Sequence, residues 1–143
     1  MGVIKPVIAD TGVIVSLVSE KDEWHEWAKQ QAARLPTPYL TCEAVVTEAC
    51  HLVRGVPNGK QKVLGLLAIG ALQLDFSLKA EVLAVAALMQ KYADVPMDLA
   101  DACLVRMSEL VKDSVVFTLD TDFWVYRKHG KEQIPLIIPD KVA

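Results

Sequence analysis

At 143 residues the chain has the length of one domain, and its 52% hydrophobic residues and mean hydropathy of +0.29 are ample for a sizeable core. No apolar run reaches the roughly 18 uncharged residues of a membrane span, and Asp10 interrupts the first run too early for a signal-peptide apolar segment, so a cytoplasmic protein is expected. Fifteen basic against 18 acidic residues leave a net charge of −3 and a pI near 5.6, which argues against a uniformly basic nucleic-acid binder but not against acids gathered at one metal site.

The segment "KPVIA" is β-branched and ends at Asp10, so it reads as a strand, with "GVIVSLVSE" and "EWHEWAKQQAARL" as the two helices after it. Pro36 and Pro38 stop the second helix. "YLT" is a short strand; Val45, Val46, Ala49, Leu52 and Val53 then fall at helical spacing between Cys42 and Arg54, and "GVPNG" breaks the pattern. A helix over 60–69 that Gly70 can end, a strand "ALQLDF", a helix from Ser77 to Lys91 and another from near Asp98 to Lys112 follow. "SVVFTL" is a strand, "DTDF" a turn and "IPLIIP" the last strand. The nearly continuous apolar strands alternating with helices predict an α/β fold over residues 1–143, with a buried, mostly parallel sheet flanked by helices. Cys42, Cys50 and Cys103 are odd in number and lack CxxC spacing, which reads as reduced core thiols.

Asp10-Thr11-Gly12 is also the triplet of aspartic proteases, but those are all-β, so here it marks a strand end turning into a helix. In open α/β sheets the functional site lies beyond the carboxyl ends of the strands. Asp10 directly follows "VIA" and Asp120 directly follows "VVFTL", which puts both carboxylates on one edge. A plain helix N-cap is the competing reading of Asp10. Glu48 lies at the border of the apolar stripe of its helix, where a carboxylate needs either a cation or an ion pair with Arg54 or a nearby lysine. In "PMDLADACL", Asp98 and Asp101 are one helical turn apart, a spacing that also imitates a capping box. Two such charges about 5 Å apart repel by roughly 3 kcal/mol at an effective dielectric near 20. An all-oxygen set without His or Cys suits Mg²⁺ or Mn²⁺, ions that support phosphodiester hydrolysis.

Taken together, "ADTGVIVSLV", "VVTEACHLV", "MDLADACLV" and "FTLDTDF" resemble the PIN domain, in the order and spacing of VapC-like ribonuclease toxins, over essentially the whole chain. The resemblance implies a parallel sheet of order 3-2-1-4-5 and a Mg²⁺- or Mn²⁺-dependent endoribonuclease. It also implies a homodimer inhibited by a small antitoxin. Matched motif by motif, Asp10, Glu48 and Asp101 correspond to the core acids and Asp120 to the fourth, with Asp122 beside it; Thr11 and Thr118 correspond to supporting hydroxyls. Asp120 is expected to reach a metal directly, and Asp122 to cap the next turn or orient ligands.

For RNA, "YRKHGKE" concentrates Arg127, Lys128 and Lys131 just past the acidic turn, and Trp24, Trp27 and Trp124 offer rings that can stack on bases or fill core. Two other classes compete. A receiver-like phosphoacceptor domain needs adjacent acids after the first strand and a strand-end lysine, both missing here. A non-catalytic interaction module of the same fold would differ by failing to cleave RNA.

Overall fold

The computed structural model describes residues 5–141. In chain order the elements are β1 (Val7–Ala9), α1 (Thr11–Val18), α2 (His25–Ala32), β2 (Tyr39–Thr41), α3 (Glu43–Leu52), α4 (Gly59–Ala68), β3 (Leu72–Leu74), α5 (Leu78–Lys91), α6 (Leu99–Leu110) and β4 (Val115–Phe117). A 3-10 turn (Thr121–Trp124) follows, then β5 (Arg127–Lys128), β6 (Glu132–Gln133) and β7 (Leu136–Ile137). Five strands form one all-parallel sheet of order β3-β2-β1-β4-β7. This is the expected 3-2-1-4-5 order: β7 is the fifth strand of the sheet because β5 and β6 pair separately as an antiparallel hairpin.

Burial explains why such short strands suffice. Val7, Ile8 and Ala9 are all buried, as a central parallel strand covered on both faces requires. Phe117 of β4 receives the rings of Trp27 (centroids 5.7 Å apart) and Tyr39 (6.0 Å), which takes Trp27 into the core rather than to a nucleic acid. Trp24 in turn stands edge-on to Trp27. On α6, every residue from Ala100 to Val105 is buried, including Asp101.

Most element boundaries fall within two or three residues of expectation. Helix α2 begins later than "EWH" predicts because Asp22 accepts hydrogen bonds from the Ser16 hydroxyl (2.7 Å) and the Trp24 N–H (2.9 Å), which holds the preceding residues in a turn. Gly70, at φ +80°, lies just past the end of α4 as expected. The β5–β6 hairpin was not expected at all. His129 (φ 52°) and Gly130 (φ 82°) are its central residues, and the Lys131 N–H bonds to the Lys128 carbonyl, which defines a type I′ turn.

Candidate metal centre

The register of β1 and β4 creates the site. Ala9 is the partner of Phe117, so the next residues, Asp10 and Thr118, leave the sheet side by side at its carboxyl edge. The Thr118 hydroxyl donates to Asp10 Oδ2 at 2.6 Å and accepts the Asp120 N–H at 2.9 Å, and Asp120 Oδ1 accepts the Asp122 N–H at 2.8 Å. The other Asp10 oxygen accepts the Thr11 N–H at 2.7 Å. Asp10 is thus the helix cap of the competing reading and a site carboxylate at once. The Thr11 hydroxyl, also buried, has no hydrogen-bond partner among the described residues.

A cleft of about 250 Å³ opens here, lined by Asp10, Glu48, Asp98, Asp101 and Asp120 together with Thr11, Gly12, Leu52 and Leu119. Larger clefts elsewhere, one beside Pro57 and one beside Ile69, each carry a single acid, Glu20. Glu48 arrives from α3 and is half-buried. Arg54 does not neutralise it, since that guanidinium turns to the His51 carbonyl at 2.8 Å. Asp98 is exposed and caps α6 by accepting the Asp101 N–H at 2.8 Å. Among the described residues, ion pairs join only Lys29 to Glu26 and Arg106 to Glu81 and Glu109, so the cleft's acids face one another without a cationic side chain.

The electrostatic consequence is visible in the acidities. Burial pushes Asp10 up to about 6, against the lowering effect of its Thr118 and Thr11 hydrogen bonds and with the charges of Asp120 and Glu48 adding to the rise. Burial pushes Asp101 further, to about 8, with Asp98, Asp10 and Asp120 contributing. Asp120 is raised in the same direction by burial, then by Asp122 and Asp98. A bound divalent cation would reverse this balance.

Sequence reasoning missed Tyr126. Fully buried, its hydroxyl donates to Asp101 Oδ2 at 2.8 Å and fixes that carboxylate's orientation. A tyrosine 25 residues beyond its partner carries no local signal. The expected division of labour between Asp120 and Asp122 also meets a more crowded geometry, because oxygen atoms of Asp101, Asp120 and Asp122 all lie within 4.8 Å of one another. Of the expected RNA-binding residues, Arg127 spends its guanidinium on the carbonyls of Trp124 (2.7 Å) and Tyr126 (3.1 Å), Lys128 is half-buried and Lys131 exposed.

The chain is thus a parallel α/β domain whose carboxylates line one cleft beyond the carboxyl ends of its central strands, with no cationic side chain lining it among the described residues. Comparison with known families makes this specific. The chain belongs to the PIN domain family, whose sequence profile matches residues 7–128. Among solved structures, the Mycobacterium tuberculosis toxin VapC20, which cleaves the sarcin-ricin loop, is similar in fold, with a TM-score of 0.65. That match has 17% sequence identity and covers 81% of this chain and 91% of VapC20. A comparison with curated protein sequences finds no match.

Proposed function

We propose that this protein is a Mg²⁺- or Mn²⁺-dependent endoribonuclease that hydrolyses RNA phosphodiester bonds, and that it is the toxin of a type II toxin–antitoxin pair, a cytoplasmic homodimer restrained by a small antitoxin protein. The observation that carries the reading is the cleft lined by five carboxylates and no cationic side chain, in a chain of the PIN family. The similarity in fold to an RNA-cleaving toxin supports RNA as the substrate class, without transferring that toxin's particular target.

The donors fit a hard cation. All are oxygens, Asp10 and Asp101 are desolvated enough to resist ionising without one, and Thr11, whose buried hydroxyl has no hydrogen-bond partner among the described residues, lines the same cleft. Asp10, Glu48, Asp101 and Asp120 would hold the ion, with Asp98 and Asp122 at the rim. When bound, it supplies charge neutralisation at the scissile phosphate and an acidified water. The chain's own contribution is orientation. Thr118 directs one oxygen of Asp10, the Thr11 N–H directs the other, and Tyr126 holds Asp101 Oδ2 so that its second oxygen is left for the cleft. Leu52 and Leu119 form apolar walls that lower the local dielectric.

Incubating the protein with labelled RNA and Mn²⁺ or Mg²⁺ tests this directly. Cleavage that stops on chelation and is lost in Asp10→Asn supports the enzyme. RNA left intact with either metal would make the protein a non-catalytic module of the PIN fold. Toxicity on expression, relieved by a co-expressed neighbouring reading frame, tests the antitoxin pairing separately.

A further inference from the structure

We propose that Trp124 is a stacking platform for an unpaired RNA base next to the carboxylate cluster, with the β5–β6 hairpin carrying the phosphate backbone beside it; this rests on the ribonuclease reading. Trp124 is 46% exposed and is the only exposed Phe, Tyr or Trp among the described residues. Tryptophan has a large apolar surface to hide, and Phe123 and Tyr126 on either side of it are fully buried. Trp124 lies two positions past Asp122, so their α-carbons are at most about 7 Å apart. The backbone that carries the ring therefore lies close to that of the clustered acids.

The platform is held in place before any ligand arrives. Arg127 donates to the carbonyls of Trp124 and Tyr126, and the Arg127 N–H donates to the Tyr92 hydroxyl at 2.9 Å. The hairpin tip is fixed to α6 by the His129 N–H on Glu109 Oε2 (2.7 Å) and to α5 by Lys91 on the Gly130 carbonyl (3.0 Å). A ring carried on a backbone fixed in this way has less freedom to lose on binding, which favours affinity. Lys91, Lys128 and Lys131 supply positive charge along this edge, with Glu132 opposite Lys128 as the one acid on the hairpin. Bases in a duplex already stack on their neighbours, so a single exposed ring selects unpaired nucleotides.

The test uses an Asp10→Asn background, in which cleavage is blocked, and a Trp24→Phe/Trp27→Phe variant that leaves Trp124 as the sole indole. A short oligouridylate is expected to quench its fluorescence, and the same strand in a duplex is not. In the otherwise unaltered chain, Trp124→Ala is expected to raise KM for unpaired RNA about tenfold with kcat nearly unchanged, while Trp124→Phe recovers most of the loss. If the double phenylalanine variant fails to fold, the Ala and Phe kinetics decide alone. Unchanged KM in Trp124→Ala overturns the proposal while leaving the ribonuclease reading intact. Quenching by RNA that the wild-type protein never cleaves supports the platform and sinks the nuclease. A Trp124→Ala variant that handles RNA normally but escapes a co-expressed antitoxin overturns the proposal in favour of a protein interface.

Discussion

Asp10, Asp101 and Asp120 sit where burial opposes their ionisation, and removing an acid of the cleft should therefore separate function from stability. Asp10→Asn, Glu48→Gln and Asp101→Asn are each expected to lower ribonuclease activity by about a hundredfold or more, the upper end of what loss of even an outer-sphere partner costs a metal site. In the metal-free protein the same substitutions are expected to raise the melting temperature, because they relieve like-charge repulsion. A fall in all three would mean that the acids form structural pairs. The pH dependence has a definite sign. The folded-state values of Asp10 (about 6) and Asp101 (about 8) lie above the ordinary 3.8, so the native protein binds more protons than the unfolded chain. Their stabilising contribution is complete below 3.8 and is lost as pH rises through about 6 and then about 8. Melting curves of the metal-free protein should therefore shift downward across that window, with a shallower shift in Asp101→Asn. Asp120→Asn is expected to weaken Mn²⁺ binding more than Asp122→Asn, since Asp120 lines the cleft and accepts the Asp122 N–H; calorimetric titration with the reverse ranking would exchange their roles. Asp10 and Asp120 were legible from the sequence because a strand end is a local feature. Tyr126 was not, because its partner is set by the docking of the acidic turn on α6, which no spacing encodes.

Among the elements, the helical pair α3–α4 gives a sharp contrast between two glycines. A methyl group on Gly59 would come within 2.4 Å of the Val53 carbonyl oxygen and 2.9 Å of its Cβ, so the start of α4 can pack on the end of α3 only without a side chain. Gly59→Ala is expected to destabilise by about 1–3 kcal/mol. Gly65, inside the same helix with open space around it, should gain roughly 0.5–1 kcal/mol on substitution by Ala. Urea denaturation of the two variants checks both signs; equal effects would refute the packing account. The helices were readable because their apolar positions recur at three and four residues, as Val45 and Ala49 do on α3. The hairpin was hidden by its size. Two-residue strands show no alternation, and "RKHGKE" reads as a charge run unless His129-Gly130 is recognised as a type I′ turn.

At the scale of the molecule, several apolar side chains of α4 and α5 are left on the surface although both helices also contribute to the core. Leu83 on α5 is 84% exposed and Ile69, capping α4, is 78% exposed, with Leu64 and Val82 also on the surface. A two-fold dimer is the commonest way to cover such surplus. Light scattering at micromolar concentration is expected to give twice the chain mass, and Leu83→Lys or Ile69→Lys to shift it toward the monomer according to which helix is covered. A monomeric wild-type protein would remove this expectation. The overall fold was legible because a parallel sheet imposes continuous apolar strands separated by helices. The exposed apolar side chains of α4 and α5 were not, because an exposed leucine obeys no periodicity until its neighbours in space are known.

The bond from Thr118 to Asp10 spans 108 positions of the chain. On a ribosome, β1 emerges early and waits beside an unfilled edge until β4 has been made, so Asp10 keeps only its local bond from the Thr11 N–H while most of the protein already exists. The cleft then forms in a single late event, governed by the slow pairing of distant segments. Whatever reaction the carboxylates carry out, a growing chain cannot perform it, and a fragment ending before Val115 should be inert even though it contains Asp10, Glu48 and Asp101. In the cell that makes this protein, the complete carboxylate cluster therefore appears only after β4 has been synthesised.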